Sequence, residues 1–68
     1  MMFIKVLNQK MAEKLSKKGF VFSKEEMNGK ELFVFSQTDA LLTELHKNFS
    51  DNKKDYFIDN RIYFREGG

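Results

Sequence analysis

Asn28 and Gly29 are the residues that most constrain the fold, because they separate two aromatic-rich segments, FVFSKEEM and KELFVFS. Asn-Gly is the strongest two-residue signal for a type I′ β-hairpin, since both central residues of that turn need a positive φ. A two-residue turn also fixes the pairing of the strands, and here it places Met27 opposite Lys30. The sequence therefore predicts an antiparallel hairpin with a defined register.

Counting back from the turn assigns the side chains of this hairpin to two faces. Residues that pair across two strands share a face, so one face carries four aromatic side chains: Phe20, Phe22, Phe33 and Phe35. The other face carries a mixed set: Val21, Ser23, Glu25, Met27, Lys30, Leu32, Val34 and Ser36. We expect the aromatic face to form the core and the mixed face to point outward or to be half-covered.

The segment before the hairpin predicts a strand followed by a helix. The run 3–7 is apolar except for one lysine, which is typical of a short strand. Asn8 is a good N-cap, and Gly19 supplies a helix end, so the helix lies between them. An alternative is one longer helix from Phe3. We favour the strand, because asparagine is a poor residue for a helix interior and a good cap.

The segment after the hairpin predicts a second helix, a loop and a last strand. Ser36 with Asp39 resembles a capping box, and Thr38 is a competing N-cap. Apolar residues at helical spacing follow: Leu41, Leu42, Leu45 and Phe49. The polar run 50–55 is expected to be a loop. Residues 56–66 are strand-like, although Asp59-Asn60 could instead turn a small hairpin.

The predicted order of elements is therefore β-α-β-β-α-β, which is the ferredoxin-like split βαβ arrangement. This is an α+β fold, with a small antiparallel sheet and two helices on one of its faces. A chain of 68 residues forms at most one domain, so we expect a single α+β domain over 1–68.

Composition narrows the functional class. The chain has no cysteine, which favours a reducing compartment, and its net charge of +2 is far below that of a dedicated nucleic-acid binder. No apolar run approaches the ~20 residues of a membrane span. We expect a soluble cytoplasmic protein that has no cofactor, no small-molecule substrate and no membrane attachment.

Catalytic groups are sparse. His46 is the one histidine, and it falls in the last turn of the second predicted helix, where a cation suits the negative helix pole. Glu25, Glu26 and Glu31 surround the hairpin tip, where we expect them to be solvated beside lysines. No catalytic triad, phosphate-binding loop or metal-ligand spacing is present in the sequence. The chain is therefore not expected to be an enzyme.

Two runs, FIKVLNQKMAEKLSKKGFVF and LFVFSQTDALLTELHKNF, resemble a family of short uncharacterised proteins from Firmicutes and their phages. The matching residues are Lys5, Val6, Asn8, Lys10, Met11, Ala12, Leu15, Gly19, Phe20, Phe33, Phe35 and Leu41. The resemblance covers roughly the first 49 residues and implies an accessory protein of a phage or mobile genetic element. It implies no assigned activity.

Two surfaces are candidates for function. The first is the mixed sheet face, with partner-binding residues Val21, Leu32, Val34, Phe57, Arg61 and Tyr63 and with Lys5 at the rim. Such a surface suits a protein partner or a homodimer, and the resemblance suggests an inhibitor or modulator of a host or defence protein. The alternative is a nucleic-acid binder that uses the basic face of the first helix: Lys10, Lys14, Lys17 and Lys18. With Glu13 among them, these lysines could also be an ordinary solvated face.

Overall fold

The computed structural model describes residues 2–60, which form a four-stranded antiparallel sheet with two helices on one face. The elements in chain order are β1 (Phe3–Val6), α1 (Gln9–Lys17), β2 (Phe22–Met27), β3 (Lys30–Ser36), α2 (Asp39–Asn48), a 3₁₀ segment (Ser50–Asp55) and β4 (Tyr56–Asp59). The strands lie in the order β2-β3-β1-β4. This arrangement confirms the predicted βαββαβ fold.

The hairpin of β2 and β3 has the predicted turn and register. Asn28 and Gly29 have φ values of 53° and 80°, as a type I′ turn requires. Met27 pairs with Lys30, and the ladder continues to the pair of Phe22 with Phe35. The local chemistry of two turn residues therefore positions every side chain of the hairpin.

Helix α1 begins and ends at the predicted residues. The Asn8 side chain accepts hydrogen bonds from the backbone N–H groups of Lys10 and Met11, at 2.9 and 3.2 Å. Gly19 follows the helix with φ of 101°, a conformation that glycine adopts at little cost. The alternative of one helix from Phe3 is wrong, because β1 occupies that segment.

Helix α2 begins at Thr38 and not at Ser36. The Thr38 hydroxyl accepts a hydrogen bond from the Leu41 N–H at 3.1 Å. The capping box with Ser36 is wrong, because β3 extends through Ser36, which pairs with Phe3 of β1. The expected loop after α2 is also more regular than predicted, since Ser50–Asp55 forms 3₁₀ turns.

The core lies between the helices and one face of the sheet. Its buried residues are Ile4, Val6, Met11, Ala12, Leu15, Phe33, Phe35, Leu41, Leu45 and Phe49. Phe20 and Phe22 are half-buried and pack against this cluster. The Phe22 ring lies 5.3 Å from that of Phe33 in an edge-to-face arrangement and 5.5 Å from that of Phe35. The prediction that the aromatic face forms the core is therefore confirmed.

Strand β4 completes the sheet beside β1. Ile58 pairs with Ile4 and so lies on the helix side, whereas Phe57 pairs with Lys5 and lies on the opposite side, called here the outer face. The alternation predicted for this strand is thus present over Tyr56–Asp59. The question of a longer strand or a hairpin at Asp59-Asn60 falls on residues outside those described.

Candidate functional site

The outer face does not offer the exposed aliphatic surface that the sequence predicts. Leu32 and Val34 project from β3 onto this face, but only 2% and 4% of their surface is exposed. The expectation that these two side chains are exposed, as a partner-binding surface would require, is therefore wrong. Lys5, expected at the rim of that surface, has 0% exposure and lies at its centre.

An ion pair crosses β3 on this face, and it is buried together with Leu32 and Val34. The Lys5 Nζ atom lies 3.0 Å from Oε1 of Glu25, although β3 separates their two strands. Because alternate strands are about 10 Å apart, the two side chains must extend over β3 to meet. Lys5 pairs in register with Val34, and Glu25 pairs with Leu32, so the ion pair passes above both aliphatic side chains.

The same lysine also contacts the last strand. Its Nζ atom lies 3.3 Å from Oδ2 of Asp59, so one ammonium group in β1 joins carboxylates of β2 and β4. Glu25 is 3% exposed, and the expectation of a solvated carboxylate at this position is wrong. Glu26 and Glu31 are exposed as expected. This arrangement is a structural clamp on the outer face.

The other residues predicted for partner binding are not gathered at one place. Val21 is 85% exposed, but it lies in the connection before β2 and not in a strand. Phe57 is 36% exposed and lies on the outer face of β4, beyond β3 and β1 from β2. Arg61 and Tyr63 lie outside the described residues. The predicted six-residue surface is therefore not assembled within residues 2–60.

The exposed apolar side chains gather instead around β4. Ile58 is 48% exposed on the helix side, and Phe57 is 36% exposed on the outer face. Leu7, directly after β1, is 46% exposed. Its N–H donates a hydrogen bond of 2.7 Å to the Asp55 carbonyl, which continues the β1–β4 ladder by one step. An edge strand of four residues thus carries large apolar side chains on both of its faces.

The backbone of β4 also presents hydrogen-bonding groups at this edge. In an antiparallel ladder, alternate residues of a strand direct their N–H and C=O groups to the same neighbour. The carbonyl of Asp55 accepts a hydrogen bond from Leu7, the residue after β1, so the backbone groups of Phe57 are also directed to β1. The backbone groups of Tyr56 and Ile58 are directed to the opposite side, away from β1. Within residues 2–60 no strand lies on that side.

Ile58 and Leu7 were missed as candidate site residues. The alternation in the sequence placed Ile58 on the side of Tyr56, which is correct. The alternation could not indicate that this strand lies at the edge of the sheet, where the core covers only part of the Ile58 side chain. The signal for Leu7 was the apolar run FIKVL, which is one residue longer than β1 itself.

The lysines of α1 lie on the solvent side of the helix. Lys10, Lys14, Lys17 and Lys18 are all exposed. Lys18 forms an ion pair with Glu44 of α2, with 3.1 Å between Nζ and Oε2. A hydrogen bond from the Asn48 side chain, together with Lys18, lowers the pKa of the Glu44 carboxyl below its usual value. The predicted basic face is therefore present, and Lys18 at its end is engaged by α2.

Within residues 2–60, no group of three or more histidine, cysteine or acidic residues is placed to hold a metal ion. None of the helices in this range is long and apolar enough to cross a membrane. Comparison with known proteins finds no matching family model, no matching curated protein and no matching solved structure. The account of function therefore depends on the geometry of this chain.

Proposed function

We propose that this chain is a small non-catalytic protein-binding module whose edge strand β4 accepts an extended segment of a partner protein. The observation that carries the proposal is the combination at β4 of backbone groups directed away from the sheet and exposed apolar side chains. Tyr56 and Ile58 supply the backbone groups, and Ile58 and Phe57 supply the side chains.

This combination suits recognition by strand addition. In that mode, main-chain hydrogen bonds contribute affinity, and alternate side chains of the added strand find apolar contacts on the two faces of the sheet. Exposed apolar edges are otherwise avoided in soluble proteins, because they promote uncontrolled association. The partner segment is therefore extended and carries apolar side chains on both of its faces, so that it covers Ile58 on one face of the sheet and Phe57 on the other.

A second copy of the chain fits this edge less well than a foreign strand. Two antiparallel β4 strands make the most hydrogen bonds when Tyr56 of one copy lies opposite Ile58 of the other. That register places Asp55 of one copy opposite Asp59 of the other at both ends, and like charges directly opposite each other are destabilising. We therefore propose a monomer that binds a different protein.

The resemblance to short proteins of Firmicutes and their phages supports a finer proposal. In that setting the partner is a host or defence protein, bound in the host cytoplasm, and the chain acts as its inhibitor or modulator. Such a role requires binding and no chemistry, which agrees with the paucity of catalytic residue types in the sequence.

The test uses Ile58→Lys with Val21→Lys as its matched control. Both changes replace an exposed aliphatic residue by lysine, but Val21 directly precedes β2, which is the strand at the opposite edge of the sheet from β4. Each tagged variant is incubated with a Firmicutes lysate, and stoichiometric partners are identified. We expect one partner to be captured by the wild type and by Val21→Lys but not by Ile58→Lys.

The fold of each variant is checked by circular dichroism and urea unfolding, and both should match the wild type within about 0.5 kcal/mol, as exposed substitutions usually do. Retention of the partner by a folded Ile58→Lys variant would place the interface elsewhere. Absence of any stoichiometric partner for the wild type would contradict the proposal.

A further inference from the structure

We propose that α1 provides a second binding surface, on which Lys10, Lys14 and Lys17 contact the phosphate backbone of a nucleic acid. This surface is separate from the β4 edge and does not depend on the proposed protein partner. It is called here the basic helix face.

The three lysines form one stripe that points away from the core. Successive residues of an α-helix are rotated by about 100°, so these positions fall within an arc of about 60°. The buried residues of the helix lie on the opposite side: Met11, Ala12 and Leu15. Seven residues separate Lys10 from Lys17, which gives the stripe a length of about 10 Å along the helix axis.

Within the part of the chain that the structure describes, these three ammonium groups form no ion pair. The ion pairs found among residues 2–60 involve Lys5, Lys18 and Lys24, and none involves a lysine of the stripe. Lys18 shows the contrast, since Glu44 lies 3.1 Å away. Glu13 is the one acidic residue of α1, and it is exposed at the margin of the stripe.

Helix stability explains part of this pattern and leaves Lys10 unexplained. Lys14 and Lys17 lie in the last turn, where cations interact favourably with the negative helix pole. Lys10 lies in the first turn, which contains no acidic residue, and a cation is unfavourable at that pole. A bound phosphate would compensate the charge of Lys10 and would interact favourably with the same pole.

A nucleic-acid backbone complements the positive charge of the stripe. Each of the three lysines can contact one phosphate, which gives about three phosphate contacts for the whole stripe. The binding would be independent of base sequence, because lysines on one helix face contact phosphates and do not read base edges.

The test measures the affinity of the full chain for a labelled 20-base-pair DNA duplex and for a single-stranded RNA, by fluorescence anisotropy between 50 and 200 mM salt. With three phosphate contacts, the slope of log K against log salt for the duplex should be about −2.7, so the affinity falls about 40-fold over this range. The variant Lys10→Gln, Lys14→Gln, Lys17→Gln should lose both the binding and this salt dependence.

The matched control carries the changes Lys30→Gln, Lys53→Gln and Lys54→Gln, which are exposed lysines outside α1. Each triple variant changes the net charge by the same amount, from +2 to −1 after removal of three positive charges. The control should retain the affinity within about threefold and keep the slope, because its phosphate contacts are intact.

Three results would overturn the proposal. Equal loss in both triple variants would show that net charge alone governs binding. If the wild type binds neither nucleic acid at 50 mM salt, the chain does not have the proposed binding activity. Binding of polyglutamate without binding of nucleic acid would assign the stripe to an acidic protein. The variant Ile58→Lys should bind nucleic acid like the wild type, so failure of the β4 proposal is distinguishable from failure of this one.

Discussion

The two edge strands of the sheet differ in the side chains that flank their outer backbone. In β2, Lys24 and Glu26 direct their backbone groups away from β3, and both side chains are charged and exposed. In β4, the corresponding positions are Tyr56 and Ile58. Charged residues on an edge discourage the addition of further strands, and apolar residues permit it. The difference supports our proposal that β4 is the edge that accepts a partner.

The two edges also differ in how they are attached. A two-residue turn joins β2 to β3, and the Phe22 ring anchors the strand on the core. Strand β4 has four residues and follows 3₁₀ turns. Lys5 in β1 reaches both strands, because its ammonium group contacts Glu25 and Asp59. The clamp therefore connects the two edge strands: β2, whose outer positions are charged, and β4, whose outer positions are Tyr56 and Ile58.

The largest effect is expected from Lys5→Met, which removes the clamp and leaves Glu25 buried without this partner. Loss of one member of a buried ion pair typically costs about 3–5 kcal/mol. Urea unfolding should show that loss, and the double variant Lys5→Met, Glu25→Met should recover much of it, since no buried carboxylate then remains at position 25. A single variant that stays within about 1 kcal/mol of the wild type would show that the clamp contributes little.

A smaller effect is expected from Gly29→Ala in the hairpin turn. Gly29 has φ of 80°, and a Cβ atom there would meet no heavy atom within 4 Å. The cost is therefore conformational and should be about 1 kcal/mol, the usual penalty for an L-residue in the left-handed region. The unfolding midpoint in urea measures it. A loss of unfolding free energy above about 3 kcal/mol would contradict a purely conformational cost at position 29.

The smallest effect on stability is expected from the double change Lys24→Ile, Glu26→Ile, which makes the β2 edge resemble that of β4. Exposed substitutions of this kind usually change the unfolding free energy by less than about 0.5 kcal/mol. The change should instead cause self-association, visible as an increased mass in light scattering. If the variant remains a monomer at high concentration, charge is not what keeps β2 from adding strands.

The features predicted correctly from the sequence are those that depend on neighbouring residues. Asn28 and Gly29 determine the hairpin register, and Asn8 and Gly19 determine the ends of α1, because each acts on groups a few residues away. The outer face could not be predicted in the same way. The contact between Lys5 and Glu25, two strands apart, follows from the β1–β3 pairing and not from any local pattern.

The candidate site illustrates the same limit. The alternation of residues 56–59 predicted correctly which side chains share a face. Whether Tyr56 and Ile58 direct their backbone groups to a neighbour or to an open edge depends on the strand order, which is a property of the whole fold. Leu32 and Val34 were misassigned because the alternation of a strand indicates the face of a side chain and not its exposure, and both are buried.

The most direct test of the β4 account is amide hydrogen exchange of the free protein and of its complex with the captured partner. In the free protein the amides of Tyr56 and Ile58 should exchange faster than that of Phe57, which faces β1. On binding, Tyr56 and Ile58 should become protected, while Lys24 and Glu26 at the other edge remain unchanged. Protection at Lys24 and Glu26 without protection at Tyr56 and Ile58 would contradict strand addition at β4.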